Sequence, residues 1–170
     1  MHEVTLIEML TARENRVWMQ QELIGQYGRP ILCFTMNIPG PIKDTPLIRR
    51  SFDYGWQELE RRLPKDSILF RDVAYAVTGC QAMYALDMGA EDIKRISTAI
   101  EDSCPMGRLF DMDVLDEQGR KLDREQVGGG SRDCIVCGAP GRGCASRRVH
   151  SVPELQKASN NLMEAHFKIE

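Results

Sequence analysis

Gly107-Arg108-Leu109-Phe110-Asp111-Met112-Asp113-Val114-Leu115 sets two aspartates into an apolar run of strand length. Alternate side chains of an extended chain point to the same face. Phe110, Met112 and Val114 therefore share one face, and Leu109, Asp111, Asp113 and Leu115 share the other. The first set reads as core. The second places two carboxylates side by side in a short apolar strand, where like charges repel and burial adds to the cost. A cation removes that penalty, and paired aspartates suit a hard one such as Mg²⁺. An edge strand with two solvated aspartates is the alternative reading.

Composition sets the frame around this strand. The chain has 170 residues, enough for one well-buried core and too few for two ordinary domains. Its 42% hydrophobic and 28% charged residues are those of a soluble globular protein. A net charge of −3 argues against general nucleic-acid binding. Met1-His2-Glu3-Val4 lacks the basic and apolar regions of a signal peptide, and no apolar run is long enough to span a bilayer. A cytoplasmic protein without membrane or nucleic-acid partners is expected. In a reducing compartment, metal binding or burial suits the six cysteines better than disulfides.

Upstream of the strand, Thr5-x-x-Glu8 has capping-box form and opens a helix to Ile24, with Leu6, Leu10, Val17 and Ile24 on its packing side. Arg13 and Arg16 lie one turn apart on it and read as a solvated face, with a phosphate site as the alternative. After the Gly28-Arg29-Pro30 break, Ile31 to Ile38 is apolar enough for a buried strand. It ends in the stiff loop Pro39-Gly40-Pro41-Ile42-Lys43-Asp44. A second helix, Pro46 to Leu63, buries Ile48, Phe52, Trp56, Leu59 and Leu63. Asp44 or Thr45 can cap it. Arg49 and Arg50 in its first turn sit beside free backbone N–H groups, an arrangement that suits either an anion site or ordinary solvated arginines. Ile68 to Val77 and Gln81 to Leu86 form a hairpin around Gly79, and a third helix runs from Glu91 to Glu101.

Downstream, Asp116-Glu117-Gln118-Gly119 turns the chain into a short strand at Arg120 to Arg124. Gly128-Gly129-Gly130-Ser131 is a flexible joint. Three of the six cysteines then arrive together as Cys134-x2-Cys137-x6-Cys144-x5-His150. Three thiolates and an imidazole make a closed tetrahedral Zn²⁺ site of the structural kind, able to hold a segment too poor in apolar residues to fold alone. A redox Cys-x-x-Cys pair and unliganded thiols are the rivals. A final helix follows Ser151-Val152-Pro153-Glu154 and ends at Phe167. The whole reads as α+β, a mixed, mostly antiparallel sheet of about five strands with packed helices.

Three of these stretches, taken in order, resemble one family. They are Pro39-Gly-Pro-Ile-Lys-Asp44 with Arg49, Arg50 and Phe52; Pro105 to Leu115; and the Cys134 to His150 cluster. Together they resemble apo-citrate lyase phosphoribosyl-dephospho-CoA transferase over nearly the full length. The resemblance implies transfer of the prosthetic group of 2′-(5″-triphosphoribosyl)-3′-dephospho-CoA to a serine of the citrate lyase acyl carrier (gamma) subunit, with release of diphosphate. Asp111-Met-Asp-Val-Leu115 also looks like the metal-binding strand of polymerase-beta-class nucleotidyltransferases. No Gly-Ser helix start precedes it at close range, and the third carboxylate is open among Asp87, Asp116 and Asp123.

On this reading Asp111 and Asp113 hold Mg²⁺ against the triphosphate, and Lys43, Arg49, Arg50 and Arg108 bind the phosphates. Residues 1–127 are a nucleotidyltransferase-like core, and 128–170 a zinc-binding segment and helix packed on it as one domain. A related enzyme acting on the malonate decarboxylase carrier, or a non-enzymatic zinc-dependent adaptor, are the competing functions.

Overall fold

A strand that is apolar on both faces needs cover on both, and Ile31-Leu32-Cys33-Phe34 is such a run. In the computed structural model, which describes residues 2–168, β1 (Ile31–Met36) lies inside a sheet ordered β2-β3-β1-β4. Its neighbours are β2 (Ile68–Ala76), β3 (Gly79–Leu86) and β4 (Phe110–Leu115), and every pairing is antiparallel. The helices are α1 (Leu6–Tyr27), α2 (Pro46–Arg62), α3 (Ala90–Glu101), α4 (Gly141–Arg147) and α5 (Val152–Lys168).

One sheet face carries Leu32, Phe34, Ala82, Tyr84, Phe110, Met112 and Val114. They pack with Ile48, Phe52 and Leu59 of α2, Ile93 and Ile100 of α3, and Met163 of α5. Phe34 stacks on Phe52 at 4.8 Å between ring centroids and meets Phe110 edge-on at 5.3 Å. Burying each such side chain stabilises by about 1.5–3 kcal/mol, so this layer outweighs the other. On the opposite face Ile31, Cys33, Met83 and Ala85 meet Leu23, Met19, Ile24 and Tyr27 of α1, with Phe70 of β2 and Leu115 of β4 beside them.

The helix starts follow their capping chemistry. Thr5 and Glu8 close the capping box of α1, and the Thr45 hydroxyl accepts from the Ile48 amide of α2 at 3.2 Å. Gly107 is required where the chain enters β4, because a Cβ there would sit 2.2 Å from the Glu101 carbonyl oxygen.

Three expectations are corrected. The sheet among the described residues has four strands, all antiparallel. Arg120 to Arg124 contributes a single bridge, Lys121 to Leu115, before a 3₁₀ turn at Arg124–Val127. The cause is Asp116, whose carboxylate accepts from the Gln118 and Arg120 amides and curls the chain away from strand geometry. Leu109 does not share the aspartate face; it lies in a 3₁₀ turn, 1% exposed, within the main core.

The apolar side expected of α1 is also largely uncovered. Leu6, Leu10 and Val17 are 75%, 46% and 50% exposed. The helix meets the sheet mainly through its C-terminal half, which leaves the first turns without a packing partner.

Candidate active site and metal centre

The two-residue period of β4 sends Phe110, Met112 and Val114 into the core and leaves Asp111 and Asp113 on the α1 side of the sheet. In register beside them on β1 are Thr35, opposite Asp111, and Cys33, opposite Asp113. Because α1 packs tightly only through its second half, a cleft of ≈ 450 Å³ opens between its first half and the sheet. Asp111 and Asp113 line it together with Lys43, Arg13, Arg16 and Gln20.

The electrostatics of this cleft are unbalanced on both walls. Asp111 is open to the cleft, yet desolvation by the surrounding walls, then the neighbouring Asp113, pushes its carboxyl above the usual carboxylate range. Asp113 meets the Lys121 ammonium at 2.6 Å. Burial works against the Lys121 charge, but the contact with Asp113 and the field of Asp111 outweigh it and leave that pKa raised. One ammonium against two carboxylates is a cation-deficient pair. On the opposite wall Lys43 is pushed down, first by burial and then by Arg13. Its ammonium donates to the Ile38 carbonyl, which fixes the Pro-Gly-Pro loop against the strand end. Arg16 donates to Gln81 Oε1 at 2.9 Å. Cations crowding each other across from a carboxylate pair suit a ligand that is itself polyanionic and brings a divalent ion.

Of the residues singled out from the sequence, Asp111, Asp113 and Lys43 come together here. Arg49, Arg50 and Arg108 do not line the cleft. Arg49 forms a two-pronged pair with Asp44 at 2.6 and 2.7 Å, and Arg50 lies over the Phe167 ring of α5 at 4.0 Å. Arg108 donates to the Asp133 carbonyl and so ties the cysteine segment to the core. The three candidate third carboxylates also lie outside. Asp87 pairs with Arg29, Asp116 holds its own turn, and Asp123 caps the 3₁₀ turn. Lys121 was not singled out from the sequence, and Arg13 and Arg16, which offered a phosphate site as the alternative, read first as a solvated face. The i, i+3 spacing of the arginines was visible, but nothing in it said which face would border a cleft.

The second constellation is Cys134, Cys137, Cys144 and His150, whose ligand atoms all lie within 4.8 Å of one another. Cys137 Sγ is 3.5 Å from Cys144 Sγ and 3.3 Å from His150 Nε2. Tetrahedral coordination at ordinary metal–sulfur and metal–nitrogen lengths needs separations of roughly 3.4–3.8 Å, so the two Cys137 contacts are close to that spacing and a small inward shift of the others would let the four hold one ion. Gly138, with φ +72°, lets the Cys134–Cys137 turn close. The backbone amides of Cys137 and Val136 point at Cys134 Sγ and pull its thiol down to about 7, against the effect of burial. All six cysteines are free thiols. Cys144 is presented by α4, a helix of about two turns hidden in a Gly-Arg-Gly context that gives no periodic signal.

This segment is joined to the core by more than one contact. Arg132 donates to the Phe110 and Gly107 carbonyls at 2.9 and 2.6 Å, and Met163 of α5 is fully buried. No helix among the described residues is long and apolar enough to cross a membrane.

Comparison with known proteins identifies the family of the chain as a whole. The family model for apo-citrate lyase phosphoribosyl-dephospho-CoA transferase matches residues 4–166. A Streptococcus pyogenes serotype M5 (strain Manfredo) protein named "Probable apo-citrate lyase phosphoribosyl-dephospho-CoA transferase" is 34% identical over 168 residues, covering 96% of this chain and 88% of its own length. An Escherichia coli O139:H28 (strain E24377A / ETEC) protein named "Apo-citrate lyase phosphoribosyl-dephospho-CoA transferase" is 32% identical over 166 residues, with the same coverage. Haemophilus influenzae "Protein CitXG" is 30% identical over 166 residues but is much longer, this chain spanning 36% of it. The chain belongs to the apo-citrate lyase phosphoribosyl-dephospho-CoA transferase family.

Proposed function

We propose that this protein transfers the prosthetic group of 2′-(5″-triphosphoribosyl)-3′-dephospho-CoA to a serine of the apo acyl carrier subunit of citrate lyase. The serine Oγ–phosphorus bond forms as the bond to the departing diphosphate breaks. The observation that carries the reading is the cleft in which Asp111 and Asp113 face Arg13, Arg16 and Lys43. On this proposal the core, residues 1–127, works as a nucleotidyltransferase does, and 128–170 is a metal-bound brace packed on it.

Asp111 and Asp113 would hold Mg²⁺, which when bound supplies charge neutralisation for the phosphates and a lower pKa for the attacking hydroxyl. The pair fits such an ion because Lys121, with the fields of Arg132 and Lys94, still leaves Asp111 raised. Arg13, Arg16 and Lys43 bind the triphosphate oxygens and orient the chain for in-line displacement. Thr35 of β1 and Gln20 of α1 line the same cleft from its two sides and supply neutral hydrogen-bonding groups there. Cys134, Cys137, Cys144 and His150 would hold Zn²⁺ as a closed site without an open position for chemistry.

The proposal predicts diphosphate release only when the apo carrier, the triphosphoribosyl substrate and Mg²⁺ are all present. A coupled diphosphate assay checks it, and release that does not depend on the carrier would contradict it. Lys43→Ala and Arg13→Ala are each expected to raise the KM for the triphosphoribosyl substrate roughly tenfold to a hundredfold, the range for losing a hydrogen bond to a charged group. Arg50→Ala, whose guanidinium lies on Phe167, should change that KM by less than about twofold on the same scale. Steady-state kinetics separates the two groups.

A further inference from the structure

β4 is an edge strand, so its outer row of backbone groups has no further strand to pair with. Buried backbone donors and acceptors left unpaired are costly. Side chains take the place of that strand. The Met112 amide donates to Glu101 Oε1 at 2.9 Å, and the Met112 carbonyl accepts from Lys94 Nζ at 3.0 Å. On either side, Arg132 donates to the Phe110 carbonyl and the Leu122 amide donates to the Val114 carbonyl, both at 2.9 Å.

Lys94 and Glu101 are each only 5% exposed, and charged groups this deep are costly even when paired. Closing an edge does not require them, as the Leu122 amide shows two residues away. Their placement is specific to the aspartates. The Met112 amide belongs to the peptide unit joining it to Asp111, and the Met112 carbonyl to the unit joining it to Asp113. α3 thus holds both peptide units between the two carboxylates, from the side opposite β1. Arg124 and Arg132, 3.7 and 4.0 Å from Glu101 Oε2, hold Glu101 in turn.

We propose that Lys94 and Glu101 are positioning residues that set the spacing and direction of the Asp111 and Asp113 carboxylates by gripping the Met112 peptide units. The inference rests on the reading of that pair as the reacting and cation-holding group. A strand bonded on one edge only can shift and twist, and misplacing catalytic groups by about 1 Å can cost about a hundredfold in rate.

The test uses the full chain. Glu101→Leu and Lys94→Met should lower kcat by about a hundredfold while the KM for the triphosphoribosyl substrate stays within about twofold. Mn²⁺ affinity of the substrate-free protein, read by electron paramagnetic resonance, should fall in parallel. Glu101→Gln keeps an acceptor for the Met112 amide and should stay close to wild type in both readouts. Leu59→Ala, a core truncation on α2, controls for general loss of stability and should move neither readout at temperatures where it is folded. Wild-type kcat and Mn²⁺ affinity in folded Lys94→Met, or a Glu101→Gln variant as impaired as Glu101→Leu, would overturn the positioning role. Normal turnover in Asp111→Asn, together with a wild-type protein that binds no Mn²⁺, would instead sink the underlying reading of the pair.

Discussion

Asp111→Asn should lower the rate of group transfer by at least about a hundredfold while its melting temperature holds or rises. The activity arm follows from ligand chemistry: an amide carries no charge and binds a hard divalent ion poorly. Asp113→Asn should behave alike in turnover, though it also strands Lys121, which loses its partner at 2.6 Å. The stability arm follows from linkage. Desolvation and Asp113 raise the native-state pKa of Asp111, so the folded chain holds that proton more tightly than the unfolded chain does. Stability from this proton is present below the unfolded pKa and is lost as pH rises through the native one. At neutral pH, without a bound cation, the ionised pair opposes folding, and the amide relieves it. Thermal melts of both proteins across the acid range check the sign: the advantage of the variant should vanish as pH falls below the ordinary aspartate value. Near-normal turnover in both variants would remove the aspartate pair from the mechanism.

Removing the metal from the cysteine cluster is the second large effect. Structural zinc binding is worth on the order of 10–16 kcal/mol in small zinc-dependent folds, far more than the apolar contacts of this segment can supply. Ile135 and Val136 are the large apolar residues between Cys134 and Cys144, and Val136 is 37% exposed. Cys134→Ser should therefore lower the melting temperature and open 128–150 to limited proteolysis, and strong chelators should do the same to wild type. Turnover by the molecules that stay folded should fall much less, because none of the four ligands lines the cleft. Elemental analysis should find about one zinc per chain. Metal-free protein with a Cys134–Cys137 disulfide would contradict the assignment.

The parts of this structure that were legible in the sequence are those whose geometry is local. β4 could be read because a period of two residues separates core from aspartates whatever packs on the strand, and β1 because both of its faces were apolar. The cysteine cluster was legible from spacing, since a closed metal site constrains how far apart its ligands can be.

What stayed hidden depends on docking between distant elements. α1 has a regular apolar side at Leu6, Leu10 and Val17, yet its apolar packing on the sheet comes from its second half. Arg13 and Arg16 thereby become cleft residues. Arg50 looked like an anion ligand from its place at a helix start, but α5 returns from the far end of the chain and puts Phe167 under it. Lys121 reaches Asp113 through a turn that Asp116 makes with its own side chain. The missing fifth strand has the same cause, and its place on β4 is taken by Glu101, Lys94 and Arg132, none of them a strand residue in sequence.

Intact-mass spectrometry of the apo citrate lyase carrier reads the group transfer itself. The carrier is incubated with this protein, 2′-(5″-triphosphoribosyl)-3′-dephospho-CoA and Mg²⁺, in parallel with the Asp111→Asn variant. The account predicts that wild type converts the carrier to a single heavier species, by the mass of the substrate less diphosphate, with the addition located on one serine. The variant should leave the carrier unmodified over the same time. An unchanged carrier mass with wild type, or equal modification by both proteins, would contradict it.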